Sequence, residues 1–206
     1  MTVHRFLKSR FFILMAGILV GVIAVVAFRF AAFKDTDVHY HANFALYING
    51  ERDPFKSFTF YEEVQACMTD NKVDPKTRVH MHDQNSGLIH VHASGVTWAQ
   101  FFSNLGYGLT DTMIQTDKGA FVNGQDGKRL SFILNGKPTG AIANRVIQSE
   151  DRLLINYGDD KQAVLDQRFK TVPNDAHEAN IKHDPGACSG GHELTTWQRM
   201  KKSMME

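Results

Sequence analysis

Hydrophobic and polar positions are arranged in three ways along this chain. Residues 11–33 are apolar except for Arg29 and a few glycines, and a run of roughly 20 such residues can cross the hydrocarbon core of a bilayer as a helix. Over 38–49, 55–61, 77–82, 88–93, 128–134 and 151–157, short apolar-rich segments with loose alternation read as strands. Between the strands at 88–93 and 128–134, Trp98, Phe101, Phe102 and Leu105 recur at helical spacing, with Thr97 placed as an N-cap and Gly106 as a stop. The pattern predicts an α+β fold: an N-terminal transmembrane helix, then a mixed β-sheet domain with one packed helix.

Turn chemistry divides the segments. Asn49-Gly50 predicts a hairpin turn whose second strand is 55–61, followed by a short helix over 62–69 and a break at Pro75. Residues 119–126 read as a loop or a weak hairpin, and Asn135-Gly136-Lys137-Pro138 as a turn. Beyond Gly158 the pattern gives an exposed helix to Lys170, a polar arm over 172–191 carrying Pro173 and Pro185, and a short amphipathic helix over 193–205. That last helix either packs on the domain or lies on a membrane surface. The expected divisions are a basic end at 1–10, the span at 11–33, the domain at 37–158 and the C-terminal segment at 159–206.

Charge sharpens the location. Arg5, Lys8 and Arg10 before the apolar run predict a cytoplasmic N-terminus, with everything after about Lys34 outside the cytoplasm. A cleaved signal peptide is the alternative to a retained anchor, but no small-x-small site follows the apolar run. The formal net charge of +1 over 206 residues gives no reason to expect nucleic acid as a partner. The two cysteines, Cys67 and Cys188, are expected to form a disulfide in an oxidising compartment, and their separation excludes a Cys-x-x-Cys redox motif.

The most chemically loaded feature is histidine. His39-Tyr40-His41, His80-Met81-His82 and His90-Val91-His92 hold six of the ten histidines. On a strand, residues i and i+2 share one face about 6–7 Å apart, so each pair aims two imidazoles the same way. If Asn85-Ser86-Gly87 forms a three-residue turn with Gly87 left-handed, His82 faces His90, His80 faces His92, and four rings share one face. A two-residue turn at Asn85-Ser86 puts the pairs on opposite faces instead.

Imidazole suits zinc and copper, and a tetrahedral ion needs a donor from outside a flat hairpin. The leading ligand set is therefore three from His80, His82, His90 and His92, with His41 or His39 completing it or replacing one member. Asp83 is a candidate carboxylate orienting His82. The tail holds His177, His183, Asp184, Cys188 and His192, of which Cys188 and His192 read either as soft-metal ligands or as part of an arm whose sulfur is taken up by the bridge to Cys67.

The strand hairpin, the helix opening on Val96-Thr97-Trp98, the strand ending in Asn135-Gly136-Lys137 and the terminal stretch Ser149 to Gly158 resemble the β-grasp, ubiquitin-like layout, especially that of the sulfur carriers. Sulfur carriers end in an exposed Gly-Gly tail, whereas Gly190-Gly191 here is internal, so the resemblance implies a fold and not carrier chemistry. The whole chain also resembles uncharacterised bacterial membrane-anchored proteins with a histidine-rich outer domain and a tail like DPGACSGG. That resemblance implies a location and no activity.

Three functions fit these residues. One is a membrane-tethered module that captures, buffers or hands on zinc or copper. Another is a metalloenzyme, a hydrolase or hydratase whose ion activates water, with Glu62, Glu63 or Asp83 as candidate bases. The third is an interaction domain whose histidines respond to pH.

Overall fold

The structure is a computed structural model and describes residues 10–33, 38–61, 75–82, 84–182 and 195–205. The chain divides into two units, one formed by residues 37–191 and the other by 1–36 with 192–206. The first is α+β and built on a mixed sheet.

Strand β1 (Tyr40–Ile48) shows why the sheet has two different faces. Its even residues Ala42, Phe44 and Leu46 enter the main core, while its odd residues His41, Asn43 and Ala45 point the other way. The strands that follow are β2 (Glu51–Arg52), β3 (Val79–His80) and β4 (Leu88–Val91). Helix α2 (Trp98–Asn104) comes next, the apolar N-terminal helix α1 (Arg10–Ala32) belonging to the other unit. Then come β5 (Gly108–Leu109), β6 (Met113–Thr116), β7 (Gly119–Val122), β8 (Arg129–Leu134), β9 (Lys137–Thr139) and β10 (Arg152–Gly158). The main sheet runs β3-β4-β1-β10-β8-β9, with β2 paired to β1. Its centre is the parallel pair β1 and β10, flanked by antiparallel neighbours on both sides. Pro138, which cannot donate a ladder hydrogen bond, sits on the edge strand β9.

On the main-core face, α2 packs Trp98, Phe101 and Phe102 against β1 and β10 residues such as Phe44, Leu153 and Ile155. Phe44 meets Phe101 edge to face with ring centroids 5.0 Å apart, an arrangement favoured by the ring quadrupoles. The helix begins as expected: Thr97 Oγ1 accepts from the Gln100 amide while the Gln100 side chain accepts from the Thr97 amide. Gly106 ends it at φ +77°. On the other face, Ala45, Ile133 and Leu154 pack with Leu165 and Val172. Leu165 lies on helix α3 (Gln162–Lys170), which is followed by α4 (Ala176–Ile181).

Several expectations change. The Asn49-Gly50 turn is present, with φ of 50° and 90°, but its second strand is only Glu51–Arg52. Residues 55–61 do not form a strand: Phe55 turns inward at φ +43°, Ser57 caps a 3-10 turn at Phe58–Phe60, and Tyr61 Oη bonds back to Phe55 O at 2.8 Å. Residues 119–122 pair as β7 with β6 in a small second sheet. The arm expected over 172–191 contains α4, and it groups with the sheet because Val172 and Ala176 are buried and Asn180 bonds to β1. The helix expected over 62–69 and the Cys67 to Cys188 bridge lie outside the described residues.

In the second unit, α1 has the length and apolarity to cross a membrane. Helix α5 (Thr196–Met205) packs along it, with the Arg199 guanidinium 5.0 Å from the Phe30 ring centroid. The C-terminal helix therefore pairs with the N-terminal helix.

Candidate metal centre

The histidine face follows from strand parity. Val79 and Met81, Ile89 and Val91, and Ala42 and Phe44 all face the main core, so the residues between them face away together. Pairing is His41 opposite His90 on one side of β4, and His80 opposite His90 on the other. His39 precedes β1, while His82 and His92 follow β3 and β4. All six rings gather at this end of the sheet.

The register differs from the sequence expectation by two residues. His80, not His82, lies opposite His90. A shift of two preserves the face, so the four hairpin imidazoles still share it. Two residues of the turn adopt positive φ, Gln84 at +53° and Gly87 at +141°. A Cβ at Gly87 would lie 2.8 Å from Pro173 Cγ and 3.2 Å from the Phe44 carbonyl oxygen, so glycine is needed for close packing as well as for conformation.

The structure sorts the histidines into two triads, His39, His41 and His90, and His80, His82 and His92. Within each, one potential ligand atom per residue lies within 4.8 Å of the others. One triad is three of the four hairpin histidines, and the other joins His90, on β4 between β3 and β1, to His39 and His41. Between triads, the His82 and His90 ring centroids are 4.0 Å apart and those of His39 and His92 are 4.8 Å apart.

Hydrogen bonds set two of the ring tautomers. Asn180 accepts from the His41 backbone amide at 2.8 Å, which identifies its contacting atom as oxygen. The same oxygen lies 2.8 Å from His41 Nδ1, so that nitrogen carries the proton and Nε2 holds a lone pair. That lone pair faces His90 Nδ1 at 3.0 Å. His80 Nδ1 likewise donates to the Lys76 carbonyl at 2.7 Å, leaving Nε2 facing His82 Nε2 at 3.3 Å. Two nitrogens on one tetrahedral zinc at about 2.0 Å are separated by about 3.3 Å, so the His80 and His82 spacing matches a shared ion.

Burial favours the neutral, metal-binding form of His80, His90 and His92. His41, His80, His82 and His90 are each at most 4% exposed. Burial lowers the His80 pKa to about 4, partly opposed by the Lys76 carbonyl and reinforced by neighbouring imidazoles. Burial and the surrounding rings lower His92 to about 3 and push His90 lower still. Neutral imidazole is the species that binds metal.

Asn180 and the Lys76 carbonyl are the site partners that sequence reasoning missed. Asn180 Nδ2 donates in turn to Ser149 Oγ at 3.1 Å and Glu150 Oε1 at 3.4 Å. A second bridge ties the hairpin loop to β1 and α4: Asp175 accepts from Asn43 at 2.6 Å and from Asn85 at 3.2 Å. No local pattern marks Asn180, which lies 139 residues from its partner. Among the tail candidates, His177 is exposed and bonds Glu150 at 2.8 Å, apart from both triads. Asp83, Glu62, Glu63, His183, Asp184, Cys188 and His192 lie outside the described residues.

Comparison with protein families, with curated proteins and with solved structures finds no match to this chain. The case for function therefore rests on the geometry of the site.

Proposed function

We propose that this protein is a membrane-tethered, extracytoplasmic metal-binding protein that holds zinc or copper through its histidine triads. The observation that carries the reading is the convergence of six imidazoles into two groups whose ligand atoms lie within 4.8 Å. Two rings are already oriented by donors' partners outside the cluster, as metal-binding imidazoles commonly are. The all-nitrogen donor set suits zinc, copper or nickel better than magnesium or calcium, which prefer oxygen. The low pKa values of His80 and His92 weigh against a switch operating between pH 5 and 7.

Tethering is supported by α1, which is long and apolar enough to span a bilayer, and the basic residues before it favour a cytoplasmic N-terminus. A β-grasp reading of the sheet is supported by the order β4-β1-β10-β8-β9 with a parallel central pair and α2 between β4 and β8. On this reading the first strand is Tyr40–Ile48, upstream of the segment that carried the resemblance in sequence.

The test is metal loading of the full chain, detergent-solubilised and without a histidine tag, beside His80→Ala/His82→Ala. The wild-type protein should retain stoichiometric zinc or copper through gel filtration, and the double variant should lose at least a substantial fraction of it. Wild-type protein that remains folded and retains no metal would refute the reading.

A further inference from the structure

We infer that the two triads form one dinuclear centre, two ions held by three imidazoles each and bridged by a small exogenous anion. The inference rests on the metal-binding reading above and adds stoichiometry and a ligand class. Six imidazole donors exceed what one tetrahedral zinc takes. Close nitrogen-to-nitrogen contacts occur within each triad: His41 with His90 at 3.0 Å, and His80 with His82 at 3.3 Å. Between triads, His39 stacks on His92 at 4.8 Å with planes 16° apart, and the His82 ring lies 4.0 Å from His90 with planes tilted by 52°. The donors are thus divided three and three while their two groups abut.

Charge and coordination number both call for the anion. Three imidazoles leave the fourth position of a tetrahedral ion open. Two divalent ions among neutral rings bring about four positive charges into a largely buried site, where unbalanced charge is costly. Both candidate groups among the described residues consist of histidine alone. A described carboxylate, Glu150, reaches the cluster at one remove, through Asn180 and its bond to His41. One small anion, hydroxide or a group of azide size, would fill an open position on each ion and offset part of the charge. Two-metal sites commonly hold their ions about 3.5–4 Å apart, within reach of such a bridge.

Titration of the full-length, tag-free protein with Cu(II), followed by metal analysis and electron paramagnetic resonance, tests the inference. Expected are two ions per chain, a spin signal well below the copper content, and one azide bound per copper pair. His39→Asn/His41→Asn and His80→Asn/His82→Asn should each retain about one ion and recover the full signal of an isolated copper. One ion per wild-type chain would overturn the dinuclear inference while leaving metal binding intact. Two ions with full, independent signals would overturn the bridge. No bound ion in folded wild-type protein would overturn the metal-binding reading and this inference with it.

Discussion

His41 shows how a residue near the start of the sheet depends on one near the end of its unit. Asn180 holds the His41 ring through Nδ1 and its backbone through the amide, which leaves Nε2 aimed into the triad. Asn180→Ala should therefore weaken metal binding by about 10- to 100-fold, the usual effect of losing a group that orients a ligand. Competition with a chelator measures it, and an unchanged affinity would show that Asn180 does not position His41. His80 carries a pH prediction. Its pKa is about 4 in the folded protein against 6.5 without burial, so between those values the unfolded chain binds more protons. Stability of the metal-free protein is then full above about pH 6.5 and falls as pH drops towards 4, by on the order of 3 kcal/mol from this residue alone. His92 extends the loss towards pH 3. Urea unfolding between pH 4 and 7 checks the slope, and a flat profile would contradict it.

At the level of elements, the β3–β4 hairpin decides which histidines meet. Its loop is fitted to the rest of the unit: Asn43 Nδ2 donates to the Gly87 carbonyl at 3.0 Å, and Pro173 packs against Gly87. Gly87→Ala should cost about 1–3 kcal/mol from the φ of +141° and should also reduce metal retention, because the loop must shift away from Pro173 and Phe44. Thermal unfolding with and without zinc checks both effects, and a fully stable, metal-replete variant would exclude this role for the loop. Parity of the histidine pairs was legible in sequence because alternation is local, and so was the α2 cap because Thr97 and Gln100 lie three residues apart. The register was not legible. It depends on contacts between the loop and Pro173 or Asp175, far along the chain. Residues 55–61 misled for a related reason: alternation suited a strand, but burial of Phe55 and the Tyr61 to Phe55 bond favour a compact turn.

Over the whole molecule, one sheet serves two purposes. Its main-core face buries Phe44, Phe101, Phe102 and Trp98, supplying the rigid layer on which the other face can gather polar rings. That other face is closed by Leu165 and Val172 at the β10–β8 end and carries the histidines at the β3–β4–β1 end. Segments beyond β10 seemed peripheral in sequence because they are polar and α4 is only six residues long. They matter because α3 covers the small core and α4 supplies Asn180. The apolar N-terminal helix was legible from composition alone. The central claim, that histidines of this sheet hold a transition metal, is tested most directly by X-ray absorption on the zinc-loaded, tag-free full chain. The account predicts nitrogen or oxygen donors at about 2.0 Å with the outer-shell scattering of several imidazoles per zinc; a sulfur-dominated shell at about 2.3 Å, or one without imidazole scattering, would contradict it.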